Sequence, residues 1–223
     1  MKYKNHIITI DGPAASGKGT ISKVLAEELE LYHIETGLFY RILALEYLKV
    51  KNYKISLSSF LEKLDKKIFF GSTSNKNEIY DTRVTDTSSL LAKKAIIRKF
   101  IVKAQKDLIK SHSLKYKGII LDGRDCGTVI APQAVVKIFI TAKLEVRAMR
   151  RFEQISKKND KILYKNILLE LSKRDERDVK RKNSPLYQAR GSYLVDSSEL
   201  NLIDTIKIVK KIILSKLPYL EIK

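Results

Sequence analysis

One cysteine, no tryptophan, three histidines and four prolines in 223 residues set the first limits on this protein. A single Cys126 cannot form an internal disulfide, and the opening "MKYKNHIITIDG" runs into a strand without a signal-peptide pattern, so the cytoplasm is the expected compartment. No apolar run approaches the roughly 18 residues that a membrane-crossing helix needs, and no membrane association is expected. There is no paired-cysteine motif, no HExxH and no nucleophile elbow, which leaves no signal for a zinc site or a serine hydrolase. His6, His33 and His112 lie outside every motif and are read as structural or exposed. Glycine is also sparse, at nine, while charged residues make up 31%; this balance argues against disorder and for much helix.

Acid is in short supply: 25 Asp and Glu face 44 Lys and Arg, a formal net charge of +19. Much of the excess is lysine scattered among Ile, Leu and Asn, as in "IKIVKKIILSK", which reads as a composition bias spread over the surface. No RNA-recognition, zinc-finger or helix-turn-helix signature accompanies it, so nucleic acid is not an expected partner, and a monomer is expected.

What is present is an alternation of short apolar strands and amphipathic helices. "HIITI" (6–10), "YHIE" (32–35), "GIILDGRD" (118–125), "AVVKIFIT" (134–141) and "SYLVD" (192–196) read as strands. Helices are predicted from residue 21, from Thr36, over 88–110, 143–157, 161–179 and 199–215. Residues 51–86 change character, with short alternating pieces such as "KKIFF" and "EIYD" around "GSTSNKN", and predict an inserted antiparallel subdomain. Strands alternating with helices imply an α/β fold with a parallel sheet covered on both faces.

After the first strand, Gly12, Gly17 and Lys18 match G-x-x-x-x-G-K and lead into a helix. Such a loop, Gly12-Pro13-Ala14-Ala15-Ser16-Gly17-Lys18-Gly19-Thr20, turns successive N–H groups toward phosphate oxygens at a helix N-terminus, while the lysine brings a full charge to the β- and γ-phosphates. Nucleoside triphosphate binding is therefore predicted. The residue after the lysine is Gly19, where the general pattern has Ser or Thr; Thr20 is the candidate hydroxyl for a Mg²⁺–phosphate site, in part through water. Asp122, at the end of "GIILD", is the candidate second carboxylate for that metal. "GKGT" is the form found in adenylate-kinase-like nucleoside monophosphate kinases.

A kinase acting on an alcohol needs a carboxylate base beside the hydroxyl, whereas a phosphate acceptor is already ionised. Such an enzyme needs charge neutralisation, in-line positioning and exclusion of water. That requirement predicts arginines from several segments and a closing lid, an inventory this chain has.

"ITIDGPAASGKGT", "ETGLFYRILAL", "LDGRDCGTVIAP", "KIFITAKLEVRAMRR" and "KRDERDVKR" together closely resemble the bacterial cytidylate kinases, in order and nearly in spacing. The likeness covers nearly the whole chain and is weakest over 51–86. "ETG" stands where that family more often has Asp before Ser/Thr-Gly. The resemblance implies a three-layer α/β/α P-loop kinase fold. Its core would comprise 1–50, 88–148 and 183–223, with a nucleoside-monophosphate-binding insertion at 51–87 and a helical lid at 149–182. It implies ATP on residues 12–20, with Mg²⁺, and CMP or dCMP as acceptor. Arg41, Arg124 and Arg181 would meet the acceptor phosphate, Arg174 and Asp178 the ribose, and Asp125, Ser89 and Arg98 the cytosine; Thr36 would also line the acceptor site. Ser89 and Arg98 would share one long helix. Arg147, Arg150 and Arg151 would be donor-phosphate or transition-state arginines, and the catalytic set would be Lys18, Arg124, Arg147, Arg151 and Arg181. Cytosine presents an amine donor beside two acceptors, and a carboxylate, a hydroxyl and an arginine complement that edge. In "RDERDVKR", Arg174, Asp178 and Arg181 at i, i+4 and i+7 would share one helix face, with Asp175, Glu176 and Val179 pointing elsewhere.

Overall fold

Five strands and nine α-helices alternate in the computed structural model, which describes residues 6–50, 55–70, 76–112, 115–157 and 162–221. The strands are β1 (His6–Asp11), β2 (Tyr32–Glu35), β3 (Gly118–Gly123), β4 (Val136–Thr141) and β5 (Tyr193–Asp196). Their order in the sheet is β2-β3-β1-β4-β5, and β1 runs parallel to both β3 and β4, as β4 does to β5. β1 is therefore central, with Ile8 opposite Ile120 on one side and Val136 on the other. All six residues of β3 are buried, which requires cover on both faces of the sheet.

The chain divides into two units, residues 1–34 with 113–223, and residues 35–112. In the first, α1 (Lys18–Glu28) and α9 (Leu202–Lys216) pack together over the sheet. Ile21 and Leu25 of α1 join Val209 and Ile213 of α9 in one core with Ile8, Ile10, Ile120, Ile138 and Ile140. The buried α9 residues recur at four-residue spacing, the period of one helix face. Asn201 starts α9 by accepting from the Asp204 N–H. A second cluster joins α7 (Leu144–Ser156) and α8 (Tyr164–Lys180) through Ala148, Ile167 and Leu171, and it includes Ala14 of the glycine-rich loop. The loop is thus packed against the two helices that carry most of the arginine-rich text.

The second unit contains α2 (Thr36–Val50), α3 (Leu57–Lys63), α4 (Lys76–Ile79), α5 (Thr82–Leu91) and α6 (Ala95–His112). The antiparallel subdomain expected at 51–86 is not what the described residues form. "KKIFF" makes a single 3₁₀ turn over Lys66–Phe69, "EIYD" covers the end of α4 and the turn after it, and helices account for the rest. Residues 51–54 and 71–75 lie outside the described residues. Local caps decide the outcome: Ser56 accepts from Ser59 N–H, Asp65 from Lys67 N–H and Asp81 from Arg83 N–H. Phe69 stacks on Phe39 of α2 with ring centroids 5.1 Å apart, so the apolar pair in "IFF" serves helix packing. Short apolar pieces carry too little periodicity to tell these states apart.

The long helix expected over 88–110 is also two helices. The chain breaks at Ala92–Lys94, where Arg98 Nε donates to the Ala92 carbonyl at 2.8 Å and satisfies an acceptor freed by the break. Ser89 and Arg98 therefore stand on different helices, α5 and α6.

Candidate active site

The glycine-rich loop leaves the carboxyl end of the central strand, where ligands of open parallel sheets gather. A Cβ on Gly12 would lie 2.0 Å from the Ile140 carbonyl oxygen, so no other residue fits there. Gly17 caps α1 with φ 85°, a left-handed conformation that favours glycine. Ala15 holds φ 58° without that freedom, and so carries backbone strain. The first turn of α1 contains no acid, leaving its N–H groups and dipole available to an anion. Lys18 Nζ donates to the Pro13 carbonyl at 2.9 Å, and among the described residues the buried Ser16 Oγ has no hydrogen-bond partner.

Two side chains hold the Ala14 peptide from outside the loop. Arg147 Nη1 donates to the Ala14 carbonyl at 3.0 Å, and Asp175 Oδ1 accepts from the Ala14 N–H at 3.3 Å. Arg147 and Asp175 are themselves paired at 2.5 Å, and Arg147 Nε donates to the Ala142 carbonyl.

Next to the loop lies a cluster of cations around one carboxylate. Arg124 Nε donates to Asp178 Oδ2 at 2.9 Å, and Arg181 Nη1 approaches Asp178 Oδ1 at 3.4 Å. Burial would raise the Asp178 carboxyl, but Arg124, Arg181 and Arg174 outweigh it and hold it below the ordinary carboxylate value. Burial lowers the Lys18 ammonium to about 7; Arg124 and Arg174 add to the shift, and Asp122 and Asp178 oppose it. Arg181 is not on the helix face with Arg174 and Asp178. It follows the last turn of α8 in an extended conformation, φ −66° and ψ 137°, and its Nε donates to the Ser184 carbonyl. The chain turns back there, with the Leu186 N–H on the Asp178 carbonyl at 2.8 Å.

Asp122 is 5% exposed, and its Oδ2 is 2.6 Å from His33 Nε2. Its Oδ1 lies 3.9 Å from where a Cβ on Gly19 would be, beside the start of α1. This carboxylate and the exposed Thr20 hydroxyl are oxygen donors of the kind that Mg²⁺ takes, and with phosphate oxygens and water they would complete an all-oxygen set. Among the described residues no group of three or more His, Cys, Asp or Glu could hold a metal alone, so such an ion would share its shell with the nucleotide.

Asp11, which the sequence reading passed over, is buried at the end of β1. Its two oxygens accept the N–H groups of Cys126 and Gly127 at 2.9 and 2.7 Å. Burial raises its carboxyl above the usual value against the lowering effect of those bonds. The pair ties the strand end to the "DGRDCG" segment and fixes the backbone after Arg124 and the buried Asp125. Burial likewise pushes the Cys126 thiol well up, which makes it a poor nucleophile.

The second unit holds the other expected acceptor residues. Arg41 Nη1 donates to Thr85 Oγ1 at 2.7 Å, and its guanidinium lies over the Tyr80 ring. Tyr80 Oη in turn donates to Glu35 Oε2 at 3.0 Å. Arg98 is buried over the Tyr40 ring, Thr36 is buried at the start of α2, and Ser89 is half-buried on α5. Gln105 Nε2 donates to the Thr36 carbonyl and anchors that helix start.

The structure thus brings Lys18, Asp122, Arg124, Arg174, Asp178 and Arg181 into one electrostatic cluster. It gives the three α7 arginines different surroundings. Arg147 is buried against the loop, Arg150 donates to Ser197 Oγ and to the Ser197 and Leu200 carbonyls, and Arg151 is exposed with Gln154 Oε1 at 3.5 Å. Sequence reasoning missed Asp175, His33 and Asp11. Asp11 had a signal, a carboxylate at a strand end directly before the loop; His33 and Asp175 had none beyond their residue types.

The sequence model of the cytidylate kinase family matches residues 8–215. The chain belongs to that family. A cytidylate kinase of Bartonella bacilliformis is 39% identical over 199 residues, covering 88% of each chain. One from Thermosipho africanus is 36% identical over 216 residues, covering 94% of this chain and 95% of its own. Among solved structures, an uncharacterized protein from Eubacterium ventriosum superposes with a TM-score of 0.54 at 15% identity, over 95% of this chain and 99% of that one. TT1252 from Thermus thermophilus gives 0.52 at 14% identity, over 96% and 98%. At such identities these two speak to the α/β fold alone.

Proposed function

We propose that this member of the cytidylate kinase family transfers the γ-phosphoryl group of ATP to CMP or dCMP, giving ADP and CDP or dCDP. The observation that carries the reading is the convergence of Arg124 and Arg181 on Asp178, beside Lys18 and its phosphate loop. An acceptor phosphate oxygen attacks the γ-phosphorus while the bond to the β-bridging oxygen breaks and its electron pair leaves with ADP. The attacking oxygen is ionised at neutral pH and needs no base, so the chain supplies position and positive charge. The N–H groups from Ala15 to Thr20 hold the donor phosphates, and a phosphate oxygen gives the buried Ser16 hydroxyl a partner. Lys18 bridges the β- and γ-phosphates. Arg124, Arg181 and Arg41 take the acceptor phosphate in the bidentate manner that suits guanidinium. Arg174 and Asp178 take the ribose, and Thr36 supports the acceptor. Asp125, Ser89 and Arg98 read the cytosine edge. Thr20 and Asp122 would hold Mg²⁺, which would supply charge neutralisation to the phosphates when bound.

Arg151, the exposed arginine of α7, is free to swing onto phosphate when the lid closes over ATP. The insertion at 51–87 serves to bind the monophosphate, and the region 149–182 serves as the lid. We assign the enzyme to the cytoplasm as a monomer, with small nucleotides as its partners and no role for nucleic acid; acids interleaved with the "RDERDVKR" arginines would repel a phosphate backbone. A coupled assay with CMP, dCMP, UMP and AMP tests the reading. CMP and dCMP should be turned over far faster than the others, and AMP as the best acceptor would overturn it.

A further inference from the structure

We propose that Asp175 and Arg147 are positioning residues for the donor site, a two-point brace that sets the orientation of the phosphate loop. The inference rests on the ATP-binding reading above and deepens it. Ala14 is gripped at both ends of its backbone, its N–H by Asp175 and its carbonyl by Arg147. The Ala14–Ala15 peptide is planar and trans, so its carbonyl and the Ala15 N–H point in opposite directions. Holding the carbonyl on Arg147 therefore aims the Ala15 N–H to the other side of the loop, away from α7. The next residue, Ala15, adopts a left-handed φ of 58° without being glycine. A strained conformation persists only where its surroundings over-determine it, and these two side chains supply that constraint.

The brace is itself held firmly. Arg147 is 6% exposed and uses Nε on the Ala142 carbonyl at the end of β4, so its guanidinium cannot turn toward phosphate without breaking three hydrogen bonds. In the proposed brace Arg147 acts on the loop backbone and not on the transferred group. Asp175 sits one residue after Arg174 and three before Asp178 on α8, so a single helix carries the acceptor-side cluster and one anchor of the donor loop. Apolar packing supports the same contact, since Ala14 belongs to the cluster formed by α7 and α8.

Calorimetric titration of Asp175→Ala and Asp175→Asn with ADP alone, and separately with CMP alone, reads the brace directly. An Asn can still accept from the Ala14 N–H, but its amide nitrogen cannot accept from Arg147. ADP affinity is expected to fall about tenfold in the alanine variant, the order expected when a charge-assisted hydrogen bond no longer holds a site, and by less in the asparagine variant. CMP affinity should stay within about twofold of wild type, a split that simple loss of stability would not produce. Unchanged ADP affinity in a folded variant overturns the brace. So does tighter ADP binding, which would make the carboxylate a competitor of phosphate, and so does an equal loss for CMP. If Asp175→Ala fails to fold, the asparagine variant carries the same comparison. ADP binding needs no acceptor, so the result is independent of which monophosphate is phosphorylated, and failure of CMP turnover in the wild type would count against the reaction alone.

Discussion

Arg124 and Asp178, 54 positions apart in sequence, meet at 2.9 Å beside Lys18, and Asp178 also faces Arg181. One carboxylate thus holds two guanidinia, the pair proposed to meet the acceptor phosphate. Removing it takes a counter-charge from two partly buried cations. Asp178→Ala is expected to raise the KM for CMP at least about tenfold with a much smaller effect on the KM for ATP, and to cost about 2 kcal/mol of stability. Steady-state kinetics with each substrate varied, together with denaturant unfolding, check both parts.

Lys18→Ala and Arg181→Ala should each lower kcat by roughly 10²-fold or more, since each removes a charge aimed at phosphoryl oxygens. Both variants should keep a far-UV circular dichroism spectrum like that of wild type. Retained turnover in either would remove that residue from the mechanism.

Lys18 also predicts a proton linkage. Without nucleotide its ammonium sits at about 7, lowered by burial and by neighbouring arginines, against 10.5 in an unfolded chain. At pH 8 the side chain is mostly neutral in the free enzyme, and a polyphosphate beside it restores the charge. ADP binding should therefore take up a fraction of a proton at pH 8 and almost none at pH 6. Titrations in buffers of different ionisation enthalpy measure this, and Lys18→Met should abolish it. The same shift has a sign for stability. Between about pH 7 and 10.5 the unfolded chain binds the extra proton, so this residue's contribution rises with pH through that window; below it the full penalty of a buried cation applies.

His33 holds Asp122 at 2.6 Å, which predicts an effect on metal use. His33→Ala should raise the Mg²⁺ concentration for half-maximal activity several-fold at saturating ATP, and chelation of divalent ions should stop turnover in both proteins. A Mg²⁺ dependence identical to wild type would assign His33 to packing.

Hydrolysis of ATP without CMP should stay at least about 10²-fold below the kinase rate, the outcome expected where the proposed lid closure excludes water from the transferred group. Phosphate release measured with and without CMP decides this.

Local information made much of this protein legible. The strands at 6–11, 32–35, 118–123 and 193–196 follow from apolar, β-branched runs. The loop at 12–20 is legible because glycine and lysine at fixed spacing serve one purpose. "DGRD" and "RDERD" stood out through their resemblance to the cytidylate kinases, not through their charge alone. The region after Val50 was misread because its apolar pieces are short, and caps such as Asp65 and Asp81 override alternation. The helix break at Ala92–Lys94 left little pattern in a sequence of good helix formers.

Residue types and spacing by themselves determined an alternating α/β chain with a parallel sheet, a phosphate loop and the arginine inventory, because each is written in local periodicity or motif spacing; the kinase fold came from the family resemblance. Tertiary structure alone decided what each charged group faces. Only folding sets His33 on Asp122, puts Asp11 on the backbone of Cys126 and Gly127, separates Arg147, Arg150 and Arg151 into three different surroundings, and turns Asp175 onto the phosphate loop. A charged side chain finds its partner through space, and no periodicity in the sequence records which partner lies across the fold.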